Sequence, residues 1–556
     1  MKRPWLEHYG NVPHTLTYPQ GSMSDAVLAA AQKTPDWQAL SFMGRAVSYR
    51  GLAEEIRRTA AAFWALGIRR GDRVTLCLPN VPQTVYCLYA LNELGAVVSL
   101  IHPLSAVKEI AFYLSEVEST TLVTLHQFYG KLLAVQKEVP LKHLIVTDID
   151  DALGGLKKWG YRLTVKRKFP KLQEDALPWR DFLAAGTSYE KAETAADDGA
   201  VILFSGGTTG TAKGVLLSNG SFNALAVQTA AMSARPVAGN RLLAAMPMFH
   251  GFGLGVCVHT ALIHSAVSIL VPRFNVKEYA KLIQKEKPNF IAGVPTLFEE
   301  LTRTDVLDHT DLSFLLGVFS GGDSLSVELK RKMDTFLRER GATVRIREGY
   351  GTTECVTASC LTPDHEEREG SIGLPYPDMD YMICKVGTTE EVPYGEEGEI
   401  CLKGPTLMLE YLGHPEETAE ALRLHSDGER WLHTGDLGTM DADGFVYFRQ
   451  RLKRIIVTSG YNVYPSQIEN VLDGHPKVQL SCVIGVPDPY RMHKVKAYVV
   501  PKAGTAPDEA LRQELMDYCK QYVAKYACPR ELEFREDLPK TLVGKVAYKK
   551  LEEENA

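Results

Sequence analysis

Phosphate chemistry is concentrated in one short run of this chain. Val201-Ile202-Leu203-Phe204 reads as a buried strand and leads into Ser205-Gly206-Gly207-Thr208-Thr209-Gly210-Thr211-Ala212-Lys213-Gly214. Glycines let backbone N–H groups come close to an anion, threonine hydroxyls add donors, and a lysine adds charge. Thr208, Thr209, Gly210 and Lys213 are therefore candidate phosphate binders. Neither GxxxxGK[ST] nor GxGxxG fits this loop, so the two common nucleotide fingerprints are excluded here. The pattern from Val201 onward predicts a strand, the loop and then a helix.

Four more residue sets follow along the chain. They are Glu348-Gly349-Tyr350-Gly351-Thr352-Thr353-Glu354, Trp431-Leu432-His433-Thr434-Gly435-Asp436-Leu437-Gly438, Arg451-Leu452-Lys453-Arg454 with Ser459-Gly460-Tyr461-Asn462-Val463-Tyr464-Pro465, and Pro539-Lys540-Thr541-Leu542-Val543-Gly544-Lys545. With the glycine-rich loop, and in this order, they resemble the motifs of the AMP-forming acyl-CoA synthetases of the adenylate-forming ligase superfamily. The chain is most similar to the bacterial-type long-chain fatty acid:CoA ligases, including its Arg3-Pro4-Trp5-Leu6 start.

The resemblance implies two steps. A carboxylate attacks the α-phosphate of ATP and expels pyrophosphate; a thiol then attacks the acyl-adenylate and expels AMP. Two anions meet in the first step, so cations and aimed dipoles must offset their repulsion. By resemblance, Lys545 bridges carboxylate and α-phosphate, Thr353 donates to that phosphate, and Glu354 holds Mg²⁺. Tyr350 stacks on adenine, flanked by Gly351 and by the adenine loop at Gly322. Asp436 accepts the ribose hydroxyls, and Arg451 supports ribose or phosphates. Ser459, Gly460 and Tyr461 belong to the coenzyme A motif, Lys453 is the hinge, and His250 lines the acyl site. Asp323, Arg454, Met492 and His493 depart from the family's common residues and carry no assigned role. The implied small molecules are ATP, Mg²⁺, coenzyme A and a fatty acid. Alternatives are a carrier-protein thiol as acceptor, a medium-chain or aryl acid, or a non-catalytic lipid-binding protein on the same fold.

Two stretches bear on the acid. No charged residue occurs from Leu242 to Pro272 or from Asn289 to Phe298. Together they are expected to line the acyl pocket, and an uncharged lining favours an apolar acid. His250, His259 and His264 are not spaced for zinc. Between Lys157 and Lys171 seven cations (Lys157, Lys158, Arg162, Lys166, Arg167, Lys168, Lys171) occur with no acid, interleaved with Trp159, Tyr161 and Phe169. This cluster suits an anionic lipid surface. It predicts peripheral contact with the membrane's inner face by a cytoplasmic enzyme. No nucleic-acid partner is expected, and a homodimer is left open.

The elements that position these residues follow from periodicity. Arg73 to Leu78 and Val97 to Ile101 read as strands, with a helix from about Pro82 to Leu94 closed by Gly95. Leu52, Ile56, Phe63 and Leu66 mark one face of an earlier helix. Strand–helix–strand at this length predicts a parallel sheet. The expected fold is α/β: a large N-terminal body over 1–450 with parallel-containing sheets and a subsidiary β subdomain, and a small mobile α+β C-terminal domain over 451–556. Residues 151–190 read as an insertion. The 556 residues, 45% hydrophobic and 23% charged, exclude a disordered chain, and a net charge of −6 argues against a nucleic-acid binder. Ten scattered cysteines suit a reducing compartment. The N-terminus lacks a signal-peptide core, and glycines, histidines and a proline break the charge-free stretch too often for a membrane span.

Overall fold

Arg73–Cys77 pairs in parallel with Val97–Leu100 on one side and Thr121–Leu125 on the other. The crossover is the helix Pro82–Glu93. Its first-turn proline gives up an N–H that would have no intrahelical partner, and Gly95 at φ +66° follows its end. A computed structural model describes residues 2–174, 176–205, 212–458, 461–488, 490–541 and 545–555.

Among the described residues this unit extends to an eight-stranded sheet, in the order Glu410–Tyr411, Lys213–Ser218, Gly199–Ser205, Val97–Leu100, Arg73–Cys77, Thr121–Leu125, His143–Thr147 and Ala176–Pro178. A nine-stranded sheet faces the same body, with a parallel run from Gln38–Phe42 through Val267–Leu270, Arg241–Ala244, Phe290–Gly293 and Gly317–Ser320 to Ile346–Tyr350. Strands covered on both faces need no polar alternation, which explains their continuous apolar sequences. A third, antiparallel sheet contains Asp380–Cys384, Gly398–Lys403, Arg430–Met440 and Val446–Arg451. The last sheet pairs Ile456–Thr458, Val478–Asp488, Met492–Pro501 and Glu531–Phe534, with the helices Pro465–Asp473 and Glu509–Tyr522 packed on it. The fold is thus α/β with a subsidiary β unit and an α+β C-terminal unit. The C-terminal unit's hydrophobic clusters share no residue with the main core.

Three expectations need correction. The glycine-rich run is strand–loop–strand: Gly199–Ser205 and Lys213–Ser218 form an antiparallel pair with Ser205 opposite Lys213, and the helix Asn219–Met232 begins only afterwards. The apolar Val215-Leu216-Leu217 completes a hairpin, so no helix N-terminus points at the loop. Residues 206–211, and with them Thr208, Thr209 and Gly210, lie outside the described residues. Second, residues 151–190 are not all an insertion. Ala176–Pro178 edges the eight-stranded sheet, and Trp179, Phe182 and Leu183 enter the main core; the helix Gly155–Thr164 and the turn Lys166–Lys168 bury no residue. Third, Phe290–Gly293 is a central sheet strand, and Phe290, Ile291, Ala292, Val294, Leu297 and Phe298 of the second charge-free stretch pack in the main core and are not among the residues lining the cleft described below. The first one contains a buried π-helical segment, Phe252–His259, between two strands. No described helix is long and apolar enough to cross a membrane.

Candidate active site

The strand Ile346–Tyr350 ends at a turn that only a glycine can make. A Cβ on Gly351 would sit 1.4 Å from the carbonyl oxygen of Thr357. The chain then folds tightly through Thr353–Cys355. This turn borders a cleft. Its walls carry His250, Phe252 and Val256 from the first charge-free stretch, Ser320 to Gly322 from the nine-stranded sheet, Gly349 to Thr353, and Arg451 and Lys545 from beyond residue 450. Phe319, Leu361 and Tyr376 add apolar wall.

His250, Gly322, Tyr350, Gly351, Thr353, Arg451 and Lys545 therefore line one cleft. Asp436 joins them through its neighbours. The Tyr350 hydroxyl donates to Asp436 Oδ2 at 2.7 Å, and Arg451 Nε lies 3.3 Å from Oδ1. That contact is an ion pair without bonding geometry, and buried Oδ1 is left without a hydrogen bond among the described residues. Buried polar atoms seldom go unpaired, so one held beside cleft residues fits a hydroxyl-bearing ligand. Ser320 Oγ, on the cleft wall, is unpaired in the same way. Both fit the polyhydroxylated, phosphorylated face of ATP.

Electrostatics favour an anionic guest. Desolvation lowers the Lys545 pKa; Asp323 opposes this and Arg451 reinforces it. A Gly322 Cβ would stand 3.5 Å from Lys545 Cε, so the ammonium stem lies along this glycine. Desolvation, with Lys545 adding to it, brings His250 from 6.5 down to about 3. Its Nδ1 accepts the Phe252 N–H at 3.2 Å, which leaves the proton on Nε2 as a donor. Desolvation raises the Asp436 pKa, and Arg451 and the Tyr350 hydroxyl oppose it. The carboxyl of Glu348, buried behind the site, is pushed up to about 7.

Glu354 and Lys213 sit beside the cleft. Glu354 Oε1 accepts the Tyr411 hydroxyl at 2.8 Å, and the Lys213 ammonium lies 5.1 Å from the Tyr411 ring centroid. Lys213 is 5% exposed and pairs with Glu417 at 3.3 Å. With one oxygen held by Tyr411, Glu354 keeps the other for a ligand. A single carboxylate suits Mg²⁺, which takes its remaining ligands from phosphates and water. Tyr411 was not apparent from sequence because no spacing links it to a motif; its place comes from the edge strand Glu410–Tyr411 pairing with Lys213–Ser218. Lys453 lies in the short turn Leu452–Arg454, close enough to Lys213 for its pKa to be lowered, after desolvation, by that charge. Arg454 is tied within the C-terminal unit, to Glu469 at 2.6 Å and over the Tyr548 ring. Ser459 and Gly460 lie outside the described residues, as does the Tyr461 side chain.

A model of the AMP-binding enzyme family matches residues 27–412, and one of the AMP-binding enzyme C-terminal domain matches residues 467–545. The chain is 35% identical to a long-chain-fatty-acid–CoA ligase of Bacillus subtilis (strain 168), over 100% of this chain and 98% of the relative. It is 32% identical to the enzyme so named in Salmonella typhimurium, again over 100% and 98%. Among solved structures, the anthranilate CoA ligase AuaEII in complex with anthranoyl-AMP superposes with a TM-score of 0.83 at 25% identity, covering 98% of each chain.

Proposed function

Because the chain belongs to the AMP-binding enzyme family, we propose that it joins a long-chain fatty acid to coenzyme A at the expense of ATP. It is an AMP-forming acid–thiol ligase, with ATP and coenzyme A as substrates. The observation that carries the assignment of the site is the convergence of Lys545, Thr353 and His250 on one cleft beside Asp436.

In the proposed first step a carboxylate oxygen bonds to the α-phosphorus while the bond to the β-phosphate oxygen breaks, releasing pyrophosphate. The Lys545 ammonium, three donors on a point charge, spans the two anions. Thr353 donates to the phosphate, and neutral His250 donates from Nε2 to the carboxylate without adding a charge that would shift with pH. Asp436 Oδ1 accepts from the ribose, and the Tyr350 ring flanks the base. Bound at Glu354, Mg²⁺ would neutralise phosphate charge. In the second step the thiol sulfur bonds to the acyl carbon, the bond to AMP breaks and the thiol proton leaves to solvent. Lys453 is the proposed pivot about which the C-terminal unit turns between steps. The apolar wall of Phe252, Val256, Phe319 and Leu361 supports an apolar acyl group, each buried CH₂ being worth about 0.8 kcal/mol.

The test is acid-dependent ATP–pyrophosphate exchange. Wild type exchanges; Lys545→Ala loses at least about a hundredfold, as expected when a preorganised charge is removed from the reacting centre. Wild-type exchange in Lys545→Ala would reject the assignment.

Peripheral contact with an anionic lipid surface is also proposed, on a smaller charge count than the sequence suggested. Lys157 donates to Met43 O, and Arg162 and Lys166 pair with buried Asp150. Among the described residues Lys158, Arg167, Lys168 and Lys171 enter no ion pair. The helix Gly155–Thr164 instead offers an apolar face: Leu156, Trp159 and Leu163 are 89%, 64% and 64% exposed. Apolar side chains on one face with cations around them suit the lipid interface.

A further inference from the structure

The carboxylate proposed to meet the ribose sits on an irregular piece of backbone. Gly398–Lys403 and Arg430–Met440 pair antiparallel, but Glu399 stands opposite Leu437 while Cys401 stands opposite His433. Two steps on one strand match four on the other, so Thr434-Gly435-Asp436 bulges out of the ladder. Gly435 takes φ +72° there. The bulge turns Asp436 toward Tyr350 and Arg451, and it also strands backbone donors that need acceptors.

Glu399 supplies one. Its Oε1 accepts the Gly435 N–H at 2.9 Å, and Oε2 lies 2.8 Å from His433 Nδ1. A carboxylate only accepts, so Nδ1 carries the proton. His433 Nε2 lies 3.0 Å from His425 Nε2, so one of these two nitrogens donates to the other. The Thr434 hydroxyl donates to Ile400 O at 2.7 Å and accepts the Asp436 N–H at 3.1 Å. Glu399, His433 and His425 are all buried. Burial works against an ionised Glu399, but the bonds from His433 and Gly435 outweigh it and hold the carboxyl below its ordinary range. Glu399, Cys401 and His433 also bring potential metal ligands within 4.8 Å of one another. Both Glu399 oxygens and both His433 ring nitrogens are already bonded, which accounts for the cluster without an ion.

We propose that Glu399, braced by His433, is a positioning residue that fixes the bulge so that Asp436 Oδ1 meets the nucleotide's ribose. The inference rests on the ATP reading of the cleft. Neither residue touches substrate, so both act through Asp436.

The experiment is ATP–pyrophosphate exchange with ATP and with 2′,3′-dideoxy-ATP, run on wild type and on Glu399→Leu, Glu399→Gln, His433→Met and Asp436→Asn. Glu399→Leu removes the acceptor at similar volume and should raise KM for ATP about tenfold, the scale of one lost bond to a charged group, with kcat within about twofold. Glu399→Gln keeps an acceptor for Gly435 and should recover most of this. His433→Met removes the brace and should shift KM in the same direction by less, which gives a second readout if Glu399→Leu does not fold. With dideoxy-ATP, which offers Asp436 no hydroxyl, the variants and wild type should converge. An equal loss on both nucleotides, or a fall in kcat with KM unchanged, overturns the proposal. If Asp436→Asn loses as much on dideoxy-ATP as on ATP, the ribose reading fails, and this inference fails with it.

Discussion

At the residue scale the account depends on which atoms are left unpaired. Asp436 Oδ1 is buried and unbonded, and Glu354 offers one oxygen because Tyr411 holds the other. Tyr411→Phe should therefore leave a looser Glu354 and raise the half-saturating Mg²⁺ concentration about three- to tenfold, with little change in saturated rate. An unchanged Mg²⁺ titration would contradict the proposed ion site. His250 gives a pH prediction. Its pKa falls from 6.5 to about 3 in the folded chain, so the unfolded chain binds more protons between those values. Folding stability linked to this group is complete above 6.5 and is lost progressively as pH falls through that window. The imidazole stays neutral at pH 5, so exchange should show no inflection near 6.5. An inflection there that disappears in His250→Asn would refute the neutral-donor role. Most of these residues were legible in the sequence, because Tyr350, Glu354, Asp436 and Lys545 stand in motifs with fixed internal offsets. Tyr411 and Glu399 were not assigned, because their roles come from strand pairings that no local spacing encodes.

At the scale of elements, periodicity served well where local turn and cap signals bound a segment and failed where pairing decided. The helix Pro82–Glu93 and its flanking strands follow from local signals. Lys213–Ser218 does not: Val215-Leu216-Leu217 suits a buried helix start or a strand, and pairing with Gly199–Ser205 settles it. The hairpin also means that Lys213 stands at the start of a strand, with no helix dipole behind it. The helix Gly155–Thr164 carries a separate prediction. Wild type should sediment with vesicles containing phosphatidylglycerol and be released by salt. A variant with Leu156, Trp159 and Leu163 changed to Ser and the four unpaired cations changed to Gln should stay in solution with exchange activity intact. Equal sedimentation of the two proteins would remove the membrane contact from the account.

At the scale of the whole molecule, the cleft is closed by a unit with its own hydrophobic clusters, which brings Lys545 against a glycine of the main body. The sequence expectation set the boundary between residues 450 and 451, beside the dense charge of Arg449 to Arg454. It could not tell how the units meet, because the Lys545–Gly322 contact spans more than two hundred residues. If the C-terminal unit turns about Lys453, restricting that backbone with Lys453→Pro should spare exchange and slow thioester formation at least about tenfold. Parallel losses in both steps would speak against a pivot there. The central claim, that this cleft makes an acyl-CoA from a fatty acid, is tested most directly by AMP release across acids from acetate to oleate and benzoate, with and without coenzyme A. The account predicts release that rises with aliphatic chain length and turns over only when coenzyme A is present. A maximum at benzoate, or multiple turnovers without coenzyme A, would contradict it.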